Sequence, residues 1–400
     1  MSGGFVAALS IANLGIWLAF FTPIVNLLPR LVEDLTGPHG KETALGWVTG
    51  VGALVAIIAN PLAGAMSDRT TSRFGRRRPW VFGGALVGMV ALFVLAGQTT
   101  IAGLVVVWAV AQAAINSSYA AVTAAIPDQV PVVQRGTVSG WIGLTQSLGV
   151  VAGVAVVTAL VLDLSAGTIV IGVLYFTLVL PFVLRTHDPV LSRSDRPTFA
   201  WRGFFAAFWV DPHRFPDFWW AWITRFLVSL GNAMATLYLL YFLKDQVHYP
   251  NPEQGQLILI LVYTLGIVVT AVVGGRLSDR SGRRKVYVVW STVVMAAAAV
   301  LLAFFPTWAM TVLAAAVLGL GFGVYLGVDQ ALITQVLPSD SDRGRDLGVI
   351  NVANSAPQVL APALAAPLVS SVVGYPGLYT VTAVVTLLGA LLVLPIRSVR

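Results

Sequence analysis

Long apolar stretches separated by short polar turns dominate this sequence. Each stretch is close to the roughly 20 residues that a helix needs to cross the hydrocarbon of a bilayer. The pattern therefore predicts an all-α membrane protein with twelve transmembrane helices. We number the stretches 1 to 12: residues 5–29, 44–66, 80–97, 101–126, 137–162, 166–184, 218–243, 255–277, 286–305, 308–336, 347–373 and 376–396.

Composition excludes most soluble classes of protein. Hydrophobic residues make up 57% of the 400 residues and charged residues only 10%, too few to cover a soluble surface. The chain contains no cysteine, which excludes thiolate chemistry and disulfides. Phosphate-binding Gly-x-x-x-x-Gly-Lys loops, His-Glu-x-x-His and Gly-x-Ser-x-Gly motifs are also missing from the sequence. We therefore expect no enzyme, catalytic residue, metal site or cofactor.

The basic residues are concentrated in the loops on one side of the predicted membrane. Twenty of the 24 basic residues fall in loops after even-numbered stretches or in the tail, whereas Arg30, Lys41 and Lys244 fall on the other side. The positive-inside rule then places both termini in the cytoplasm. The net charge of +7 needs no nucleic-acid partner. The excess of Arg over Lys favours a bacterial source, and hence the cytoplasmic (inner) membrane.

The chain contains two copies of one unit. Ser67-Asp68-Arg69 recurs as Ser278-Asp279-Arg280, and residues 122–127 recur as 333–338, both at an offset of 211. This repeat predicts an N-terminal six-helix bundle (1–184), a cytoplasmic linker (185–217) and a C-terminal six-helix bundle (218–400). Parallel six-helix repeats are typical of transporters that bind a solute near the membrane midplane between the halves.

The loop between stretches 2 and 3 carries a family resemblance. Residues 64–69, followed by Arg76-Arg77-Arg78, resemble the signature of the major facilitator superfamily, and residues 67–79 are similar to the glycoside-pentoside-hexuronide cation symporters and sucrose transporters. This resemblance implies alternating access, with helices 1, 4, 7 and 10 lining the pathway. Sodium-coupled members carry acids in helix 2, where this chain has Ala56 and Asn60, which favours protons as the coupling ion.

Polar residues follow one face of two of these helices. Stretches 4 and 7 each carry four polar side chains at i, i+4, i+7 and i+11, which share one helical face. Lipid cannot satisfy them, so they face a wet cavity or bond to other helices. On stretch 1, an amide and two aromatic rings also share a face, where they could stack on a sugar or simply pack. The candidate substrate-cavity residues are Asn13, Trp17, Phe20, Gln112, Asn116, Tyr119, Thr123, Arg225, Ser229, Asn232 and Thr236.

Two ionisable residues are predicted deep inside the hydrocarbon, Arg225 in stretch 7 and Asp329 in stretch 10. Their predicted depths match at roughly 10–12 Å from the cytoplasmic side, at 1.5 Å per residue. They could form a structural ion pair or a proton-coupling site in which Asp329 accepts the proton. Gly319, Gly323 and Gly327 would allow close backbone approach or bending beside Asp329.

The repeated Ser-Asp-Arg motifs predict a cytoplasmic gate. An aspartate near a helix end can interact with arginines and with the N-terminus of another helix. The resemblance implies partners for Asp68 at the start of helix 11 and for Asp279 at the start of helix 5. The gate candidates are Asp68, Arg69, Arg73, Arg76, Arg77, Asp279, Arg280, Arg283 and Arg284.

These features together predict a monomeric secondary active transporter whose partners are a small solute, protons and the lipid bilayer. The leading hypothesis is a proton-coupled symporter of a sugar or glycoside. The alternatives are a proton-coupled exporter of a small metabolite or drug and, from another class, a membrane sensor that transports nothing.

The topology can be tested with single cysteines, since the chain has none. A membrane-impermeant thiol reagent added to intact cells should modify Lys41→Cys and Lys244→Cys but not Ser194→Cys. Permeabilised cells should then expose Ser194→Cys to the reagent. The reverse labelling pattern would contradict the orientation.

Overall fold

The computed structural model describes residues 3–37, 40–160, 163–192, 194, 211–336 and 343–398, and this part of the chain contains helices and no strand. The helices are α1 (Gly3–Thr22), which continues through a π-helical turn (Pro23–Leu27) into Leu28–Thr36, α2 (Lys41–Ser67), α3 (Arg78–Ala96), α4 (Ile101–Gln129), α5 (Val132–Leu160), α6 (Leu164–Arg185), α7 (Pro216–Leu237) with the short helix Leu239–Asp245, α8 (Pro252–Ser281), α9 (Arg284–Phe304), α10 (Trp308–Val336), α11 (Arg343–Val369) and α12 (Gly374–Leu392).

These helices confirm the predicted all-α membrane fold. Among the described residues, nine helices are long and apolar enough to cross a bilayer, and α7 with its bent continuation makes a tenth. In α5 and α11 the described apolar parts are shorter, Leu148–Ala159 and Ala356–Val369. All twelve predicted stretches thus coincide with helices, and the chain is a multi-pass membrane protein.

The chain forms two compact units, Met1–Thr198 and Phe199–Arg400. Each unit contains six of the twelve helices, and the boundary falls inside the segment 185–217 that the sequence assigns to the linker. The residues of that segment between 195 and 210 lie outside the described part of the chain.

Two helices differ from their predicted spans for reasons of local chemistry. The first helix extends to Thr36 instead of ending near residue 29, and Pro23 starts a π-helical turn in which the N–H of Leu28 donates to the carbonyl of Pro23. Proline clashes with the carbonyl four residues earlier, and a wider turn relieves that crowding. The seventh span begins at Pro216 and bends by 42° after Leu237.

Glycines on both α8 and α10 lie at the points where these two helices touch. A Cβ atom on Gly323 would lie 2.7 Å from the carbonyl oxygen of Ile267, and one on Gly266 would lie 2.9 Å from the carbonyl carbon of Gly319. Carbon atoms do not approach so closely without displacing a helix. The glycine series therefore serves close backbone approach, the first of the two roles that the sequence suggests.

Lys41 is unsuited as an accessible labelling position. Its side chain is only 3% exposed, and its Nζ lies 3.3 Å from Glu33 Oε1. Lys41 and Glu33 therefore tie the start of α2 to the end of the first helix. The neighbouring Thr43 is exposed and replaces Lys41 as the outer position in the labelling experiment.

Close packing at Gly323 predicts a large cost for a side chain there. Gly323→Leu should destabilise the protein by about 2 kcal/mol or more, because the added atoms meet α8 backbone. Gly83→Leu on α3 is the matched control, since a Cβ at Gly83 meets nothing within 4 Å. Thermal unfolding in detergent measures both. Equal losses of stability would show that the α8–α10 contact tolerates larger residues.

Candidate functional site

The Arg225–Asp329 pair joins α7 to α10 inside the second unit. Arg225 Nε lies 3.1 Å from Asp329 Oδ2, and both side chains are only 4% exposed. The Tyr325 hydroxyl donates to the other carboxylate oxygen, Oδ1, at 3.0 Å. Oδ2 accepts no well-aligned hydrogen bond, so its contact with Arg225 is mainly electrostatic.

The position of this pair along its helices makes it unusual. Arg225 lies nine residues after the start of α7 at Pro216, or about 14 Å along the axis, and Asp329 lies seven residues before the end of α10 at Val336, or about 11 Å. A lone charge at such depth is costly, and removal of one partner leaves the other uncompensated. The ion pair that the sequence analysis raised as one possibility is present in the structure.

Aromatic side chains extend the site from Asp329 towards the polar face of α7. Tyr325 and Phe322 stack with ring centroids 6.1 Å apart, and Phe322 stacks on Tyr263 of α8 at 6.3 Å. The Tyr263 hydroxyl donates to Asn232 Oδ1 at 2.9 Å. Ring stacking through Phe322 therefore connects the polar group around Asp329 with the Tyr263–Asn232 hydrogen bond.

The remaining members of the α7 stripe are less buried. Thr236 donates to the backbone carbonyl of Asn232 at 3.0 Å, and Ser229 is half-buried between Arg225 and Asn232. The sequence analysis missed Tyr263, Phe322 and Tyr325. Only the spacing of Tyr325, one helical turn before Asp329, could have indicated a partner.

In the first unit, the predicted faces of α1 and α4 meet through aromatic rings. The Trp17 centroid lies 5.1 Å from that of Tyr119 and 5.6 Å from that of Phe20. Phe21, which the sequence analysis did not include, stacks on Trp17 at 5.5 Å. These four rings form a cluster that we call the aromatic cluster of the first unit.

Amide side chains lie beside this cluster. Asn116 Nδ2 donates to Gln112 Oε1 at 3.0 Å, and both residues are buried. Asn13 is also buried and donates to the carbonyl of Leu9 on its own helix at 2.9 Å, while its Oδ1 accepts no hydrogen bond. Thr123, the last member of the α4 stripe, is exposed and hydrogen-bonds to Tyr119.

The loop between α2 and α3 of the first unit is organised around Arg77. Its buried guanidinium contacts Asp68 and lies 3.0 Å from Asp128, in the last turn of α4. Arg76 reaches the other oxygen of Asp128 at 2.9 Å. Asp68 thus pairs within its own loop, whereas the side chains at the start of α11, the partner that the resemblance implies, lie outside the described residues.

Asp188, just after α6, completes this loop. Its Oδ2 accepts the backbone N–H groups of Arg77 at 2.6 Å and Arg78 at 2.8 Å. Gly75 adopts a φ of +97°, and a Cβ there would collide with Asp188. Asp128 and Asp188 are further residues that the sequence analysis did not assign to the gate, because acids from distant loops carry no local signal. Arg69 and Arg73 remain gate candidates from the sequence alone.

The equivalent loop of the second unit is simpler. Arg284 lies 3.3 Å from Asp279, whose side chain is 65% exposed. Arg280 and Arg283 are exposed. The side chains at the start of α5, the expected partner of Asp279, lie outside the described residues.

The side chains at these sites can bind polar and apolar parts of a solute, and the carboxylate of Asp329 can gain or lose a proton. The described residues contain no group of three or more His, Asp or Glu side chains that could hold a metal ion. The first unit offers neutral amides and aromatic rings, which suit a neutral polar solute. The second unit offers one carboxylate that can change its charge beside a fixed guanidinium.

Short parts of the chain resemble known sugar carriers. The sequence is 33% identical over 91 residues to a general alpha-glucoside permease of Schizosaccharomyces pombe, which covers 23% of this chain and 16% of that one. It is 35% identical over 71 residues to the sucrose transport protein SUC4 of Arabidopsis thaliana, which covers 18% and 13%. These matches therefore span less than a fifth of either relative.

Likeness to solved structures extends over nearly the whole chain. The nucleoside transporter NupG superposes with a TM-score of 0.72 at 17% identity and covers 97% of this chain and 96% of that one. The human organic anion transporter MFSD10 gives 0.71 at 15% identity and covers 98% of this chain and 100% of that one. The Major Facilitator Superfamily model matches residues 1–262 and 221–400. The chain therefore belongs to the Major Facilitator Superfamily.

Proposed function

We propose that this protein is a secondary active transporter that works by alternating access and imports a sugar or glycoside together with a proton. The observation that carries the proposal is the buried Arg225–Asp329 pair, with Tyr325 bonded to the same carboxylate. An ionisable pair inside a membrane-spanning bundle is expensive to maintain, which makes it a candidate functional site.

Coupling follows from the charges of this pair. While Asp329 is ionised it neutralises Arg225, and when it takes up a proton the guanidinium loses that partner. A solute oxygen can then compensate Arg225 as a hydrogen-bond acceptor. Binding of proton and solute would thereby favour each other, as symport requires. The missing acids at Ala56 and Asn60 support a proton over sodium in this role.

The proposed solute fits the first unit. Aromatic rings can stack on the apolar face of a sugar, and the amides of Gln112 and Asn116 can bond to hydroxyl groups. The two partial relatives are named for an alpha-glucoside and for sucrose, whereas the fold neighbour NupG is named for nucleosides. A nucleoside also contains a sugar ring, so it is the competing substrate class in any screen.

The cellular setting is part of the same proposal. Both termini would lie on the cytoplasmic side of a bacterial inner membrane, an orientation that the basic loops support. The Asp68–Arg77 and Asp279–Arg284 pairs would then belong to the gate. We propose that the transporter acts as a monomer, with Arg69, Arg73, Arg76, Arg280 and Arg283 supporting the gate.

Loss of the carboxylate at Asp329 should uncouple transport. Asp329→Asn keeps the shape of the side chain but cannot carry a proton, so accumulation against a gradient should stop in proteoliposomes. Exchange of labelled for unlabelled solute should survive, because exchange needs no net proton movement. Counterflow with a panel of labelled sugars and nucleosides identifies the solute, and a proton gradient then drives the accumulation assay.

The double variant Arg225→Gln/Asp329→Asn separates coupling from structure. If the pair only stabilises the fold, the double variant should recover accumulation, because no charge is left unpaired. If the pair couples, the double variant should recover stability but not accumulation. Proton-driven accumulation by Asp329→Asn near the parental level would refute the coupling role. The absence of saturable flux for every solute would favour the sensor.

The aromatic cluster should affect solute binding. Trp17→Ala is expected to raise KM by roughly tenfold, about 1.4 kcal/mol of lost binding. Trp290→Ala is the matched control, since Trp290 is 65% exposed on α9 and lies in the other unit. Trp17→Phe should recover most of the affinity because a ring is kept. An unchanged KM in well-folded Trp17→Ala would remove Trp17 from the site.

A further inference from the structure

A groove at one end of the first unit belongs to neither the gate nor the proposed solute site. It encloses about 490 Å³ between the start of α1, the end of α4 and the end of α6. Phe5, Ala8, Ile11 and Pro181 form its apolar wall, and Arg185 and His187 form its polar end. A cavity of this size with an apolar wall and few polar groups is typical of a site for a small molecule.

The groove lies where a membrane-spanning helix leaves the bilayer. From Leu164 to Arg185, α6 is 22 residues long, or about 33 Å, which matches the hydrocarbon thickness and places Arg185 at headgroup level. Phe5 and Phe182 have ring centroids 6.4 Å apart, so the start of α1 lies beside this end of α6. Leu184 is 72% exposed at the same level, as expected of a side chain that faces lipid.

Among the described residues that line the groove, its polar end carries donors and no acid. Arg185 and His187 are exposed, and the groove residues that the structure describes include no carboxylate. Two acids adjoin groove residues in sequence, and both have other partners. Asp188 accepts the N–H groups of Arg77 and Arg78, and Asp128 pairs with the side chains of Arg76 and Arg77. Gln129 adds a further amide donor to the groove. The arrangement is complementary to an anion.

We propose that this groove binds one anionic phospholipid of the cytoplasmic leaflet. The phosphate lies against Arg185, with His187 and Gln129 as further donors, and an acyl chain follows α1 past Ala8. From Gly4 to Ile11 the groove extends seven residues along α1, roughly 10 Å, which takes the ligand from headgroup level into the hydrocarbon. A soluble anion would leave the apolar wall uncovered, whereas a phospholipid satisfies both parts. Basic pockets between helices on the cytoplasmic side are a general means of headgroup recognition.

The test measures lipid retention by the full-length protein after delipidation. Phosphatidylglycerol or phosphatidylcholine is added back in detergent, and native mass spectrometry counts the bound molecules. We expect one tightly held phosphatidylglycerol and no equivalent phosphatidylcholine. Arg185→Gln/His187→Gln should weaken this binding at least about fivefold, the equivalent of roughly 1 kcal/mol for one cationic side chain.

Two further variants separate the groove from general surface charge. His213→Gln/Arg214→Gln removes the same two residue types from exposed positions before α7, outside the groove, and should leave retention unchanged. Ala7→Trp keeps every charge but fills the groove from an exposed position on α1, and should abolish retention of the tight lipid. Thermal unfolding confirms that each variant is folded.

Three results would overturn the proposal. Equal weakening by both charge pairs would mean diffuse attraction to a basic surface. Full retention by Ala7→Trp would place the lipid elsewhere, and equal retention of phosphatidylcholine would remove the role of charge. The assay requires no transport, so its outcome is independent of whether the protein moves a sugar.

Discussion

The cost of an uncompensated charge in hydrocarbon is the constraint on which the functional site depends. Arg225 and Asp329 compensate each other in the described second unit, at 3.1 Å and almost fully buried. Helices α7 and α10 therefore cannot separate at this level without exposing two charges to lipid. The surrounding side chains reinforce the contact, since Tyr325 bonds the other carboxylate oxygen and the rings of Phe322 and Tyr263 lie next to it.

The internal repeat identifies equivalent positions at which the two units pack differently. At the offset of 211, Gly52 and Trp108 of the first unit correspond to Tyr263 and Gly319 of the second. In the first unit the Trp108 ring covers Gly52, and in the second the backbone of Tyr263 lies against Gly319. The large and small residues have exchanged helices. In the first unit the Trp108 ring fills the space above Gly52. In the second unit the Tyr263 side chain instead reaches Asn232 and forms a hydrogen bond.

The spans and the central ion pair were predictable from sequence because both express the same physics. Lipid selects long apolar stretches and leaves few charges inside them, so Arg225 and Asp329 stand out. Tyr263, Phe322 and Tyr325 could not be found in this way, since aromatic side chains are ordinary in membrane helices. Asp128, at the end of α4, and Asp188, just after α6, lie 51 and 111 residues away from Arg77 in sequence. Such contacts depend on tertiary packing, which periodicity does not encode.

Both members of the ion pair belong to one compact unit, and this limits how the proposed coupling could work. If the two units move as rigid bodies during alternating access, the distance from Arg225 to Asp329 stays the same in every state. Movement of the units can then change the access of protons and solute to the pair, but it cannot break the pair. The contact has to be released locally, by protonation of Asp329 or by a solute that competes for Arg225. Under the proposed mechanism, local release would link the proton and the solute directly, whereas motion of the units would decide only from which side of the membrane each ligand arrives.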